Sequence, residues 1–389
     1  MNWSERISPT VNAIPPSGIR RFFDIAAEMK GVISLGVGEP DFITPWHIRE
    51  SCIYGLQRGY TSYTSNYGLL ELREEISRKI NTDYEVNYDP RSEVLITVGV
   101  SEAVDLAMRA LLSPGDEVLV PEPSYVSYKA CVSLAGGIPI PVPTFMEDEF
   151  RITVEQLEKA VTTRTKILLI GYPNNPTGAI MTREDLSTIA AFALKHDLIV
   201  ISDEIYADLT YENSHTCFAS LPDMRDRTIV LNGFSKAYAM TGWRIGYALS
   251  NSDFIGAMMK IHQYTMLCAP ITAQVAAIEA LKRGESNMHK MVAEYNHRRR
   301  LMLDGFQHIG LSCFEPKGAF YIFPSIKETG LTSMQFAEEL LKVEKVALVP
   351  GDAFGVSGEG FVRCSYAASI DNLSEALIRI ERFVKTRIG

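Results

Sequence analysis

The chain carries no CxxC or similarly close cysteine pair, no GxGxxG, no run of about 18 apolar residues and no surplus of positive charge. Each absence excludes a class of protein. The six cysteines, Cys52, Cys131, Cys217, Cys268, Cys313 and Cys364, stand apart among apolar or small neighbours, so buried reduced thiols are expected rather than a metal knuckle or a disulfide framework. Without GxGxxG the chain lacks the dinucleotide fingerprint; the GxG at Gly36–Gly38 runs into Glu39-Pro40 instead of a helix. Asp and Glu number 47 against 38 Lys and Arg, which leaves no basic field for nucleic acid, and the dense basic run His297–Arg300 sits in a helical pattern beside Glu294. The N-terminus has charges and prolines where a signal peptide needs an apolar stretch, so a cytoplasmic protein with no membrane partner is expected.

What remains is a chain of 389 residues, 46% hydrophobic and 22% charged, too long for one ordinary core. A Pro-rich, aperiodic arm leads to an expected helix over Ile19–Lys30. From Pro45 to about Met266 short apolar runs alternate with amphipathic stretches, which predicts parallel strands joined by helices. Strands are expected at Glu93–Val98, Glu117–Val120, Ile138–Val142, Lys166–Gly171, Leu198–Ser202, Thr228–Asn232 and Arg244–Leu249. Helices are expected at Ser101–Leu112, Tyr125–Ala135, Val154–Val161 and Arg183–His196. Beyond Pro270 come helices at Ala273–Lys282 and Asn287–Gln307, strands at Phe320–Phe323, Val346–Val349 and Phe361–Ser365, and a final helix at Asn372–Thr386. The expected fold is α/β: a large domain over 45–286 with a mostly parallel seven-stranded sheet, and a smaller α+β domain from both chain ends, 1–44 and 287–389.

Open parallel sheets bind ligands beyond the carboxyl ends of their strands, and five such ends are chemically loaded here: TVGVSEA, PEPSY, GYPNNPTGA, SDEIY and NGFSKAYAMTGWRIG. Gly99 permits a tight turn and Ser101 opens a helix, where free amides would stabilise an anion, although Ser101 with Glu102 is also an ordinary helix start. Asp203 ends an apolar strand, where a carboxylate needs a cation, unless it is a helix N-cap. Lys236 follows the apolar TIVLNG with Arg244 nearby; desolvation and a neighbouring cation both lower a lysine pKa, as attack on a carbonyl requires. The alternative is a surface lysine in a loop.

Together SLGVGEPDF, YTSNYGLLELR, TVGVSEA, YPNNPTG, SDEIY, FSKAYAMTGWRIGY, GAFYIFP, Val349–Gly351 and FVRCSYA follow an order that resembles the fold type I pyridoxal-phosphate (PLP) enzymes, specifically class I/II aminotransferases of the aspartate and aromatic type. The resemblance implies a transaminase with PLP as cofactor, amino acids and 2-oxo acids as substrates, no metal, and a homodimer. It implies that Lys236 carries the cofactor as an imine and moves the substrate α-proton, and that Asp203 keeps the pyridine nitrogen protonated. Tyr206 and Asn175 would bond the ring oxygen, with Tyr206 on the face of Asp203 if that segment is helical. Tyr125 would stack on the ring unless it is a core aromatic. Val100, Ser101, Ser235 and Arg244 would hold the phosphate, with Tyr63 reaching the phosphate of the neighbouring subunit. Gly233 replaces a serine common in relatives, so one hydroxyl contact is expected to be missing or supplied otherwise. Arg363, aided by the Gly38 N–H and by Asn175, would grip the substrate carboxylate. A C–S lyase on the same fold, a non-catalytic sensor domain and a nicotinamide dehydrogenase stand as alternatives. The amino acid donor stays open among aromatic, aspartate, alanine, methionine and diaminopimelate types; no second arginine stands in a motif for a side-chain carboxylate.

Overall fold

The computed structural model describes residues 3–15, 29–212 and 214–388. Most of the helix expected over Ile19–Lys30 lies outside them. The first strand, β1 (Ile33–Ser34), pairs in parallel with β10 (Val346–Ala347), so the N-terminal segment is stitched to the C-terminal part of the chain.

At the centre is one seven-stranded sheet. In chain order its strands are β2 (Val94–Thr97), β3 (Glu117–Glu122), β4 (Ile138–Pro143), β5 (Thr165–Gly171), β6 (Ile199–Asp203), β7 (Thr228–Gly233) and β8 (Gly246–Leu249). In space they run β2-β8-β7-β6-β5-β3-β4. The five from β3 to β7 are mutually parallel; β8 is antiparallel to both β7 and β2. The reason is the connection: residues 234–245 return directly from β7 through a short turn of 3₁₀ helix at Thr241–Trp243, with no helical crossover that could bring the strand back in parallel. Strands β2, β3, β7 and β8 are buried along their whole length, which is why they read as unbroken apolar runs rather than as alternation.

Helices cover both faces. Val100–Leu111 lays Ala103, Leu106 and Ala107 on one face with Tyr128 and Val132, while Leu186, Ile189 and Ala193 of Arg183–Lys195 pack on the other. The helices Trp46–Gln57, Leu70–Tyr84 and Ser252–Thr265 are additions to those expected from periodicity. Leu70–Tyr84 is heavily charged, yet Leu72, Ile76 and Ile80 repeat every four residues and are its buried stripe.

The C-terminal part of the chain holds a three-stranded sheet, β11 (Val349–Pro350), β12 (Val362–Ser365) and β9 (Tyr321–Ile322), and the long helix Glu285–Ile309 packed against Ile370–Ile388. All six cysteines are unpaired; Cys217 and Cys364 are buried and the other four only partly so.

Candidate active site

Beyond the carboxyl ends of β5, β6 and β7, and against β12, lies a cavity of about 360 Å³. Gly38, Val100, Ser101, Tyr125, Asn175, Asp203, Tyr206, Ser235, Lys236, Arg244 and Arg363 all line it. Tyr63 does not; it is 82% exposed on the surface.

One wall is an anion cradle. Gly99 has φ +78°, a backbone conformation that favours glycine, and its bare Cα lies against the Arg244 guanidinium. The helix then starts at Val100, leaving its first amides without intrahelical acceptors beside Arg244, whose Nη1 donates to the Thr241 carbonyl at 2.9 Å.

The floor is Asp203, the last residue of β6. It sits beside Gly171 of β5, where any Cβ would fall 2.5 Å from the Tyr128 hydroxyl. That bare position lets the buried Tyr128 donate to Asp203 Oδ2 at 2.8 Å, while the Ile205 amide donates to Oδ1 at 3.2 Å. Burial lifts the Asp203 carboxyl to about 6 even against these donors, and no Lys, Arg or His of the described residues lies within ion-pair distance. No helix follows Asp203, so it is not an N-cap. Residues 205–208 form turns, and Tyr206 reaches the cavity from that turn rather than from a helical face as expected. Its buried hydroxyl shares a 2.7 Å hydrogen bond with that of Tyr321.

Lys236 lies in the turn after β7. Its Nζ donates to the Gly38 carbonyl at 2.6 Å and lies 5.8 Å and 5.6 Å from the ring centres of Tyr206 and Phe320. Burial first, and then the Arg363 guanidinium, bring its amine down to about 8. Arg244, the cation expected from sequence proximity, has the smaller influence. Gly233 pairs with Gly246 across β7 and β8, and a Cβ on it would meet Gly246 Cα at 2.9 Å, so no side chain and no hydroxyl fits there.

The opposite wall is Arg363 on β12. Its Nη1 donates to Asn175 Oδ1 at 2.8 Å and its Nη2 to the Gly36 carbonyl at 2.5 Å, and its guanidinium lies 4.5 Å from the Tyr321 ring centre. Its Nε is buried without a partner, and no carboxylate of the described residues lies within ion-pair distance. The bond to Arg363 leaves the Asn175 Nδ2 free to donate. Gly38 offers Lys236 its carbonyl, and a Cβ there would overlap the Tyr321 hydroxyl at 2.5 Å.

Sequence reasoning missed Tyr128, Tyr321 and Gly171 as site residues. Tyr321 stands inside the quoted GAFYIFP, and Tyr128 follows Tyr125 at helical spacing, which was the available signal. Among the described residues no helix is long and apolar enough to cross a membrane, and no His, Cys, Asp and Glu group could hold a metal ion.

The family model "Aminotransferase class I and II" matches residues 30–380. The chain is 56% identical over 378 residues to YugH of Bacillus subtilis (strain 168), covering 97% of this chain and 98% of that one. It is 47% identical over 384 residues to the aspartate aminotransferase of Pyrococcus abyssi, covering 98% and 99%. The crystal structure of the aromatic aminotransferase from Pyrococcus horikoshii OT3 superposes with a TM-score of 0.91 at 47% identity, covering 95% of this chain and 99% of that one.

Proposed function

The chain belongs to the class I and II aminotransferases and is a transaminase; from that premise we propose that it uses PLP to move the amino group of an L-amino acid to 2-oxoglutarate in two half-reactions, amino acid in and oxo acid out before the second substrate binds. The observation that carries this reading is a buried amine with a lowered pKa, a carboxylate without a cation and an unsatisfied guanidinium converging on one cavity.

The residues fit the cofactor. The amides of Val100 and Ser101, the Ser235 hydroxyl and Arg244 suit a phosphate. Asp203, pushed up by burial for want of a cation, suits a protonated ring nitrogen. Tyr206 and the Asn175 amide suit a ring oxygen, and Tyr125 would lie on the ring face. When bound, PLP supplies an electron-poor ring that accepts charge from the substrate α-carbon. The protein's own part is to hold and move protons. Asp203 keeps a proton on the heterocycle, Lys236 Nζ takes and returns the α-proton, and Arg363 fixes the carboxylate through a planar fork that lysine cannot imitate. A substrate carboxylate on Arg363 would satisfy the idle Nε and bring the lobes, bounded near residues 45 and 286, together around it.

We extend the reading to a cytoplasmic homodimer. Tyr63, Tyr264, Met266 and Leu267 are all exposed, and the Asn66 side chain bonds the Leu267 carbonyl, so these apolar groups form one face. A second copy on that face would carry Tyr63 to its neighbour's phosphate. The donor is proposed to be aspartate or an aromatic amino acid, following the named relatives. The cations lining the cavity are Lys236, Arg244 and Arg363, none spare for a side-chain carboxylate, which favours the aromatic choice within one chain.

The test is a donor panel with 2-oxoglutarate, scoring glutamate against pyruvate plus ammonia. Glutamate formation is expected, and Lys236→Ala is expected to lower turnover at least about 10⁴-fold and to abolish the absorbance of the lysine-bound cofactor. A fully active Lys236→Ala enzyme would sink the proposal.

A further inference from the structure

The anion cradle contains an anion of its own. Glu102 is the third residue of the helix Val100–Leu111, and its side chain is 9% exposed. A carboxylate in the first turn of a helix is drawn back toward the free amides at the helix start. There it would compete with a phosphate for the same N–H groups and repel it. In this structure its oxygens are taken by groups other than the Val100 and Ser101 amides. Oε2 accepts the Val98 amide at 2.5 Å, and Oε1 lies 2.7 Å from His262 Nδ1.

His262 comes from a different element, Ser252–Thr265, which packs along Val100–Leu111, and it is completely buried. A carboxylate can only accept, so Nδ1 carries the proton and donates. Nε2 has no partner among the described residues. A histidine buried with half its polar atoms unsatisfied is a poor choice for packing alone, where an apolar residue would serve. The loop that the pair holds, Val98–Gly99, is also tied by Thr97 Oγ1 to the Gly99 carbonyl at 3.0 Å.

We infer that His262 is a positioning residue for the phosphate end of the cavity: by donating to Glu102 it keeps that carboxylate on the Val98 amide and leaves the amides of Val100 and Ser101 open to a dianion. The inference rests on the cofactor reading above. It predicts that His262 matters for ligands bearing a phosphate and not for the same ring without one.

The protein, stripped of cofactor, is titrated at equilibrium with PLP and with pyridoxal, following the absorbance of the adduct at Lys236. His262→Phe is expected to weaken PLP about 10-fold or more and pyridoxal less than about 2-fold, and Glu102→Gln added to it is expected to return PLP to within about 3-fold of wild type. Equal weakening of both aldehydes, no weakening, or no rescue by Glu102→Gln overturns the inference. Should His262→Phe not fold, His262→Asn is compared with His262→Met. The Asn amide stands in for Nδ1 and is expected to keep the PLP-to-pyridoxal ratio within about 3-fold of wild type; a ratio that collapses equally in both variants overturns it. Wild-type protein that takes up neither aldehyde overturns the cofactor reading instead.

Discussion

Arg299 and Arg363 are both buried guanidiniums, and they are treated in opposite ways. Arg299, on the long helix Glu285–Ile309, is 1% exposed and fully answered. It donates to Glu212 at 2.6 Å, to Glu315 and the Pro316 carbonyl at 2.9 Å each, and to Asn296 at 2.9 Å, with the Tyr211 ring beneath it. Arg363, 3% exposed, meets one amide oxygen, one carbonyl and no carboxylate, and its Nε bonds nothing. Burying a cation without an anion is costly unless the anion arrives later. The first arginine therefore belongs to the fold and the second to a ligand. Asp203 repeats the lesson with the sign reversed: it is a buried carboxylate with hydroxyl and amide donors but no cation.

The contrast is broken most sharply by giving both sites the same substitution. Arg363→Lys keeps the charge but loses the fork, and kcat/KM for transamination is expected to fall about 10²- to 10³-fold, equivalent to about 3–4 kcal/mol, with little change in melting temperature. Arg299→Lys is expected to do the reverse. Two of its partners, Glu212 and Glu315, are each 47% exposed and can turn to water, so the loss is put at about 2 kcal/mol of stability by denaturant titration, with kcat/KM unchanged in the folded protein. If Arg363→Lys were as active as wild type, or Arg299→Lys lost activity without losing stability, the division would fail.

Much of the fold was legible in the residues, the role of Arg299 inside the basic run His297–Arg300 was not, and what was missed has a physical cause. The inner strands stood out because a doubly covered sheet needs continuous apolar runs, and TIVLNG or LIVIS can be little else. The helix Leu70–Tyr84 did not, because its apolar stripe is narrow and its other faces are charged. The direction of β8 depends on what fills the twelve residues before it, which periodicity does not report. Asp203 was noticed because a carboxylate ending an apolar strand is locally anomalous. Tyr128 is ordinary in its own helix and gains meaning only because Gly171, more than forty residues away, leaves room for its hydroxyl. The influence of Arg363 on Lys236 was missed for the same reason: the two are far apart in the chain, and the nearer Arg244 drew attention.

A site kept ready at a cost should become more stable when disarmed. The carboxyl of Asp203 is raised from 3.8 to about 6, so the cofactor-free native state binds more protons than the unfolded chain between those values, and stability falls as pH rises through that window. Above pH 6 the full penalty is present. Asp203→Asn removes the charge while its amide oxygen can still accept from Tyr128. It is expected to stabilise the cofactor-free protein by up to about 3 kcal/mol at pH 7 and by little below pH 3.8, while reducing transamination severely. An unchanged or lower stability at pH 7 would mean that Asp203 is already satisfied within the fold.

The smallest expected effect is the most specific to the pairing of Lys236 with Arg363. Lys236 is lowered from 10.5 to about 8, burial acting first and Arg363 second. Only the neutral amine attacks an aldehyde, so the rate at which cofactor-free protein takes up pyridoxal should climb with pH and level off above about 8. Replacing Arg363 with Met removes the cationic neighbour but leaves the burial, and the midpoint should move up by roughly half a unit to one unit, toward the ordinary lysine value. Arg299→Met should leave it where it is, because Arg299 is spent on its own carboxylates. A midpoint that moved equally in both variants would point to a general loosening of the fold, whereas one that moved only with Arg363 would show that the guanidinium awaiting a substrate also holds the amine ready for its cofactor.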